Sequence, residues 1–397
     1  MIVRKIREEE YPRTQELFSL AFEIPLNRES LADTETKRIK AFPRTREERY
    51  WLERWAAFTE EGKMMSFLIG FPATVRFDGG EAVCTCIGGV SSLPQYRGRG
   101  AIAGCFQKHL EDSYQAGHVF SYLYPFSTRF YGQFGYENCA EKVEWELNID
   151  EFPEFRETDG EYILSENFSE RPAIEQVYAQ SMSEYNLSFV REDWEWNRAI
   201  AKDPASQHRY TYLWRNGNGV PEGVLTFRKE YEKGLERATM ICEEFFFVGT
   251  EGLKGLLKHI RSYRGHFQKV KITLPKEVHL EQVLPEMSKG CRRTLRFAGM
   301  GRVIHVEKAL KAASYRGTGK VSFKLNDPWI QENNGVFEVS FENGRCTGVR
   351  SGTSWEKELD IGTFSRLLLG NCWEDEMKDA PFHQIFYRKK LFICDSF

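Results

Sequence analysis

Leu93-Pro-Gln-Tyr-Arg-Gly-Arg-Gly100-Ala-Ile-Ala-Gly104 decides how this chain is read. It follows an apolar, strand-like run from Val83 to Val90 and opens an amphipathic run, Ala101 to Tyr114, whose spacing predicts a helix. A strand, a basic glycine-rich turn and a helix start together form a device for holding a phosphate. The glycines let the backbone approach closely, successive N–H groups point inward, and the helix dipole favours negative charge. Taken singly, Arg97 and Arg99 read as ordinary surface arginines. Set between Pro94 and Gly100 at a helix start, they read as phosphate contacts.

Composition narrows the classes. A chain of 397 residues is expected to hold two to three domains. The balance of 55 Lys+Arg against 58 Asp+Glu gives a net charge of −3, so no strong field points to nucleic acid or an anionic membrane, and a cationic substrate is tolerated. The chain has no apolar run of about 18 residues, which excludes a transmembrane helix reading. Met1-Ile-Val-Arg-Lys-Ile-Arg leads into acidic residues rather than a signal-peptide core, so a cytoplasmic location is expected. The nine cysteines are widely spread and read as buried, reduced thiols. Cys84 and Cys86 form a C-x-C with no second pair or His cluster near in sequence, so no metal is expected.

Outward from the loop, residues 8–22 read as a helix, 46–58 as a second helix, and 64–76 and 81–90 as strands joined by Asp78-Gly79-Gly80, a hairpin signal. A strand at 119–124, a helical turn at 128–134 and a strand at 137–147 follow, then an acidic linker broken by Pro and Gly at 150–160. Helices at 172–186 and 191–202, strands at 209–215, 222–231 and 237–248, and a helix at 251–264 repeat that order, which suggests an internal duplication. The second strand-to-helix junction, Phe245-Phe-Phe-Val-Gly-Thr-Glu-Gly, lacks Arg-x-x-Gly and carries Glu251 where an anion would be repelled. A third unit has strands at 318–325, 335–342 and 345–350, with turns at Asn333-Asn-Gly and Glu342-Asn-Gly, a helix at 361–369 and a strand-like end from Gln384 to Phe397.

Three stretches together resemble the enhanced intracellular survival (Eis) family of GNAT N-acetyltransferases: Pro94-Gln-Tyr-Arg-Gly-Arg-Gly100-Ala-Ile, Tyr131-Gly-Gln-Phe-Gly-Tyr136 and Met300-Gly-Arg-Val-Ile-His-Val. In that family larger residues commonly follow the loop glycine, and Ile102 fits there. The resemblance implies an α/β (α+β) chain of two tandem GNAT-type domains followed by a sterol-carrier-like domain. Residues 1–150 would form an acetyl-CoA-binding GNAT domain, 151–288 a degenerate GNAT-like domain, and 289–397 a domain that delivers the C-terminal carboxylate. It further implies acetyl-CoA as co-substrate, a small-molecule amine as acceptor and a homo-oligomer, specifically a hexamer. Val90 and Ser92 would offer backbone groups to the pantetheine arm. Arg97, Gly98, Arg99, Gly100, Ala101 and Ile102 would cradle the pyrophosphate, with Ser127 a further CoA contact. Tyr131 would be the general acid and the carboxylate of Phe397 the general base.

The chemistry suits these residue types. A Tyr, with a reference pKa of about 10, can protonate a departing thiolate. A terminal carboxylate is a weak base unless partial burial raises its pKa. Without the resemblance, Tyr131 would read as one aromatic packed among Phe130, Phe134 and Tyr136. Glu23 and Asp395 are candidates for holding a cationic acceptor. Trp194 and Trp196, two apart on a helix, point in different directions and read as packing. The expected activity is acetyl transfer to amines of cationic small molecules such as aminoglycosides. Protein lysine acetylation is the first alternative. A lipid carrier is the second, although carriage needs no CoA loop.

Overall fold

The computed structural model describes residues 1–26, 54–372, 376 and 381–395. The described residues form two compact units, residues 1–26, 54–139, 299–372, 376, 381–389 and 395, and residues 140–298 with 390–394.

The first unit is built on a twisted sheet. Strands β1 (Ile2–Lys5), β2 (Arg54–Phe58), β3 (Met64–Phe77) and β4 (Gly80–Ser92) pair antiparallel in that order. Helix α1 (Tyr11–Phe22) lies between β1 and β2 in sequence. Helix α2 (Ala101–Gln115) follows β4 and returns the chain to β5 (Phe120–Leu123), which pairs parallel with β4. Such a crossover is what a parallel pair demands. The end of the strand Arg292–Val303 then adds antiparallel to β5, from Met300↔Leu123 to Val303↔Phe120. The β3–β4 turn is Asp78-Gly79, both at positive φ (48° and 83°), the form that matches strand twist.

Helix α2 buries the stripe Ala101, Cys105, Phe106, His109, Leu110 and Ser113. This spacing lays one face of the helix on the sheet. Gly70 on β3 faces that stripe, and a Cβ there would meet the His109 ring at 2.0 Å. His109 sits beside Thr85 Oγ1 at 3.1 Å, and burial pulls its pKa down to about 3, so the ring is neutral.

A four-stranded sheet completes this unit, with the strands Arg345–Ser351, Gly335–Glu342, Gly319–Asn326 and Lys357–Asp360 in that order. Helices Val306–Ala312 and Ile361–Leu368 accompany it. Arg302 and Asp327, both fully buried, join in a bidentate pair at 2.7 and 2.6 Å. Lys389 and Asp78 form a second buried pair, and Asp78 also accepts from the Ser314 backbone N–H at 2.7 Å.

In the second unit the sheet runs Gly160–Leu164, Arg209–Asn216, Pro221–Glu230, Ala238–Phe247, Phe267–Pro275, Glu137–Asn148. All pairs are antiparallel except Ala238–Phe247 with Phe267–Pro275, between which helix Gly249–Ser262 crosses. Hairpin, helix and parallel strand repeat the order of β3, β4, α2 and β5; the duplicated sequence pattern led us to expect the hairpin and the helix.

Three readings need correction. Arg54–Phe58 is a strand, not the end of a helix, because it is paired on both edges, to β1 and β3; residues 46–53 lie outside the described residues. Asn333 is buried rather than at a hairpin tip, and its side-chain amide donates to Ile304 O at 2.8 Å and Asp327 Oδ2 at 2.9 Å. The stretch from Gln384 onward is no strand. A helical turn, Phe382–Ile385, leads into irregular chain whose one bridge among the described residues is Asn186↔Leu391. The strands Gly160–Leu164 and Phe267–Pro275 are additions to the sequence reading.

Asp327→Asn leaves a buried guanidinium without its counter-charge. The expected loss of stability is about 3–5 kcal/mol, read as a lower urea midpoint at unchanged slope. A shift under about 1 kcal/mol would show that the pair is not a keystone of this unit.

Candidate functional site

Strands β4 and β5 run together only from Cys84↔Phe120 to Ile87↔Leu123. Beyond Ile87 the β4 backbone continues to Ser92 without that partner. On its other edge β4 stays with β3, but the register slips: Phe67 faces Ser91 while Ile69 faces Gly88. One extra residue therefore sits on β4, with Gly89 at φ 58°. This is a β-bulge, a device that re-aims a strand. Leu93 N–H donates back to Met65 O at 3.0 Å, so by strand alternation Ser91 also faces β3. The backbone groups of Val90 and Ser92 then face the diverging side. Ser92 Oγ lies 2.7 Å from Ser66 Oγ.

The loop follows directly. A single 3-10 turn, Pro94–Tyr96, leads through Arg97 to Gly98 and Gly100, both left-handed at φ 76° and 75°. Only glycine adopts that conformation freely. A Cβ at either position would meet nothing within 4 Å, so the backbone lies bare to the surroundings. Gly100 is the N-cap of α2, has no side chain to cap the helix and has no acidic residue in the following turn. The first-turn N–H groups are thus left for an outside acceptor. Arg97 and Arg99 are exposed. Arg97 reaches the Ala21 carbonyl at 3.5 Å, and Arg99 lies 5.7 Å from the Tyr96 ring centre.

Tyr131 stands on the short helix α3 (Thr128–Gly132), which Ser127 caps by accepting from Phe130 N–H at 3.3 Å. Ser127 O also accepts from Tyr131 N–H at 3.2 Å, so the structure gives Ser127 a role in seating Tyr131. The Tyr131 ring is enclosed by Phe126, Phe130 and Phe106 in edge-to-face contacts at 5.2, 5.1 and 6.1 Å. It is buried at 3% exposure, and its hydroxyl makes no hydrogen bond among the described residues. Burial raises its pKa well above the ordinary tyrosine value, so the proton stays on. The next turn is pinned by the Phe134 carbonyl, which accepts from Arg302 Nη1.

Val90, Ala101, Ile102 and Tyr131 pack in one apolar cluster with Leu123 and Met300, so the bulge, the loop and the tyrosine meet. Phe397 lies outside the described residues. Asp395 is engaged through its backbone, its carbonyl accepting from Tyr124 Oη at 2.5 Å. Glu23 is the exposed left-handed residue that closes α1. Trp196 is buried against Tyr178 at 5.2 Å, which is packing.

Sequence reading passed over Tyr124 and Phe126. They continue the period-2 aromatics Phe120 and Tyr122 past the end of β5 and stay exposed, Phe126 at 67%. Phe126 thus offers an exposed apolar face in contact with Tyr131. Among the described residues no cluster of His, Cys, Asp and Glu is disposed to hold a metal, and no helix is long and apolar enough to cross a membrane. The nine cysteines are free thiols, six of them buried.

Comparison with known proteins places the domains and the fold. Family models for the acetyltransferase (GNAT) domain match residues 2–139 and 187–303, and a sterol carrier protein domain model matches residues 306–380. No curated protein matches the chain in sequence. Solved structures share the whole fold. A probable N-acyltransferase from Enterococcus faecalis V583 is 21% identical, with a TM-score of 0.84 over 100% of this chain and 99% of that one. A GCN5-related N-acetyltransferase from Anabaena variabilis is 19% identical, with a TM-score of 0.83 over the full length of both chains. Eis1 from Mycobacterium abscessus is 14% identical, with a TM-score of 0.76, again over both full lengths.

Gly100→Glu sets a carboxylate where the loop amides point. The acetyl-CoA KM is expected to rise by on the order of 10- to 100-fold, with the fold intact because the space is open. Gly100→Ala carries the same left-handed strain, about 1–2 kcal/mol, without the charge, and serves as the control. An unchanged KM in the Glu variant would remove the loop from the cofactor.

Proposed function

We propose that this chain, an Eis-like GNAT N-acetyltransferase, acetylates amines of a cationic small molecule such as an aminoglycoside, with acetyl-CoA as donor. The observation that supports this most directly is the pair of left-handed glycines at the bare N-terminus of a 15-residue helix, set beside a bulged strand that has lost its partner. Acetyl-CoA supplies an activated thioester. Arg97 and Arg99 neutralise its pyrophosphate, while the amides of Gly98 to Ile102 donate to it. The edge of Val90 and Ser92 hydrogen-bonds the pantetheine amides, and a free N–H there polarises the thioester carbonyl. As the C–N bond forms and the C–S bond breaks, Tyr131 Oη gives its proton to sulfur. The amine's proton passes to the carboxylate that the resemblance assigns to Phe397. The proposal carries a hexameric assembly and a cytoplasmic location with it.

The second unit is read as lacking the donor site, since its crossover helix opens with Glu251 and no arginine. A lipid-carrier reading is disfavoured: Phe323, Phe341, Phe364 and Leu367 fill the interior of the small sheet and its helix without exposure.

Free-thiol release from acetyl-CoA, measured against polyamines, aminoglycosides and lysine peptides, tests the activity. Preference for the peptides would favour the protein-acetylating alternative. Tyr131→Phe is expected to lower kcat by about 10²–10⁴-fold while leaving the acetyl-CoA KM near its original value, because the ring keeps its packing. Wild-type turnover would return Tyr131 to the core. Adding residues after Phe397 exchanges a carboxylate for a neutral amide. Turnover is expected to fall sharply with CoA binding retained, and an N-terminal extension is the control. Equal activity of the two forms would move the base elsewhere.

A further inference from the structure

Acetyl transfer by the proposed route requires the terminal carboxylate to stand in one place, and the tail that carries it is held in two steps. Lys390 to Cys394 belong to the second unit. There the Lys390 carbonyl accepts from Asn186 N–H at 2.9 Å, Phe392 N–H donates to the Asn186 carbonyl at 3.3 Å, and the Phe392 ring is buried with Ile174, Tyr178 and Phe246. Asp395 belongs to the first unit. Its carbonyl accepts from Tyr124 Oη at 2.5 Å, two residues before the carboxylate of Phe397. Two residues span at most about 7 Å. Whatever fixes that carbonyl therefore bounds where the carboxylate can reach.

Tyr124 is itself fixed from behind. It follows β5 directly, and residues two apart on an extended segment take the same side, so Tyr122 and Tyr124 lie together. Their rings meet edge to face at 5.3 Å, and their phenols share a hydrogen bond. Tyr124 has one hydroxyl proton and gives it to the Asp395 carbonyl, so Tyr122 is the donor between the two phenols. Tyr122 is 1% exposed, and a Cβ on Gly299 of the neighbouring strand would meet its hydroxyl at 2.0 Å. That hydroxyl has no room to swing. Burial first, then the Tyr124 phenol, push the Tyr122 pKa well above the ordinary value, so it keeps the proton it donates. A buried phenol thus orients a half-exposed one. Two residues further on, Phe126 touches the Tyr131 ring at 5.2 Å. Residues 122–126 therefore reach both the tail and the proposed acid.

We propose that Tyr124 is a positioning residue for the terminal carboxylate: its hydroxyl, oriented by Tyr122, holds the Asp395 carbonyl and so sets the reach and direction of the Phe397 carboxylate toward the acceptor amine. This rests on the reading of that carboxylate as the general base. Tyr124 moves no proton of the reaction. Its hydrogen bond restricts a flexible tether, and orientation of a reacting group is worth more than the bond itself.

Tyr124→Phe removes the hydroxyl and keeps the ring against Tyr122. The full chain is assayed with the best acceptor of the polyamine, aminoglycoside and lysine-peptide panel. The expected result is a kcat lower by about 10- to 100-fold, with the KM values for acetyl-CoA and for the acceptor, and the unfolding midpoint, near those of the wild type. Combined with an extension after Phe397, the substitution costs no more than the extension alone, because both act through one carboxylate. Carboxypeptidase A, which needs no acceptor, releases Phe397 from the folded variant about tenfold faster than from the wild type, the worth of one hydrogen bond. A raised acceptor KM at unchanged kcat would make Tyr124 an acceptor contact, and additive losses in the combined form would place its effect elsewhere. Either result overturns the proposal, as does an unchanged rate of Phe397 release. Full turnover in the extended form overturns the base assignment on which the proposal rests, and the release assay separates that outcome from a failed hold.

Discussion

The first unit turns on one buried ion pair. Asp327 accepts two bonds from Arg302, one each from the backbone N–H groups of Trp329 and Ile330 at 3.0 and 3.2 Å, and one from the Asn333 amide. Its oxygens are fully engaged, which is the condition under which a charge can be buried at all. Arg302 spends its remaining reach on the Phe134 carbonyl. Gly135 beside it is at φ 80°, and a Cβ there would strike the guanidinium at 2.7 Å. So a charge on the last strand of the large sheet, a loop next to the small sheet and the turn after Tyr131 are fixed by the same few bonds. Trp329 adds to this, donating from its indole to Gln133 O at 2.8 Å and packing its ring on Phe134.

The candidate site is made by interruption. Pairing of β4 with β5 stops, a bulge re-aims the strand, and two left-handed glycines expose backbone amides at an uncapped helix. Each device gives up hydrogen bonds within the protein and leaves backbone groups open to an outside partner. The second unit keeps the interruption and drops the arginines and the loop. Its strands still diverge, but the helix begins with an acidic first turn, and the opening is a cavity of about 250 Å³ with mixed polar and apolar lining. The same strand-to-helix junction thus differs between the two units in a handful of residues at one turn.

The loop, the Asp78-Gly79 hairpin, the α2 stripe and the duplicated order were legible because each is a local signal: a dihedral demand, a period or a spacing. What escaped was non-local. Arg54–Phe58 is a strand because two neighbours pair with it, and nothing in Arg-Trp-Ala-Ala-Phe announces those neighbours. Asn333 resembled a turn residue, yet it is the amide that completes the shell of Asp327. Phe267–Pro275 alternates Gln268, Lys269, Lys271 and Thr273 around Val270, Ile272 and Leu274, a pattern weaker than the helix before it. Arg302 and Asp327, 25 positions apart, carry no sequence sign that they meet. Around Tyr131 the segment was visible, but its neighbours Tyr124 and Phe126 were not, because exposure belongs to the fold and not to the residue.

Enclosure changes what Tyr131 can be. In water a tyrosine titrates near pH 10. Behind Phe106, Phe126 and Phe130 the charged form is penalised further, with no hydrogen bond among the described residues to offset it. A hydroxyl of that kind does not ionise anywhere near neutrality and cannot serve as a base. It can only give its proton, and only to a group more basic than itself in that same apolar setting. A thiolate released there is equally short of water, and desolvation strengthens it as a base just as it weakens the phenol as an acid. The mismatch between the two therefore narrows when both are buried together. The aromatic wall that the sequence reading took as a rival explanation for Tyr131 is then compatible with the acid role proposed for it.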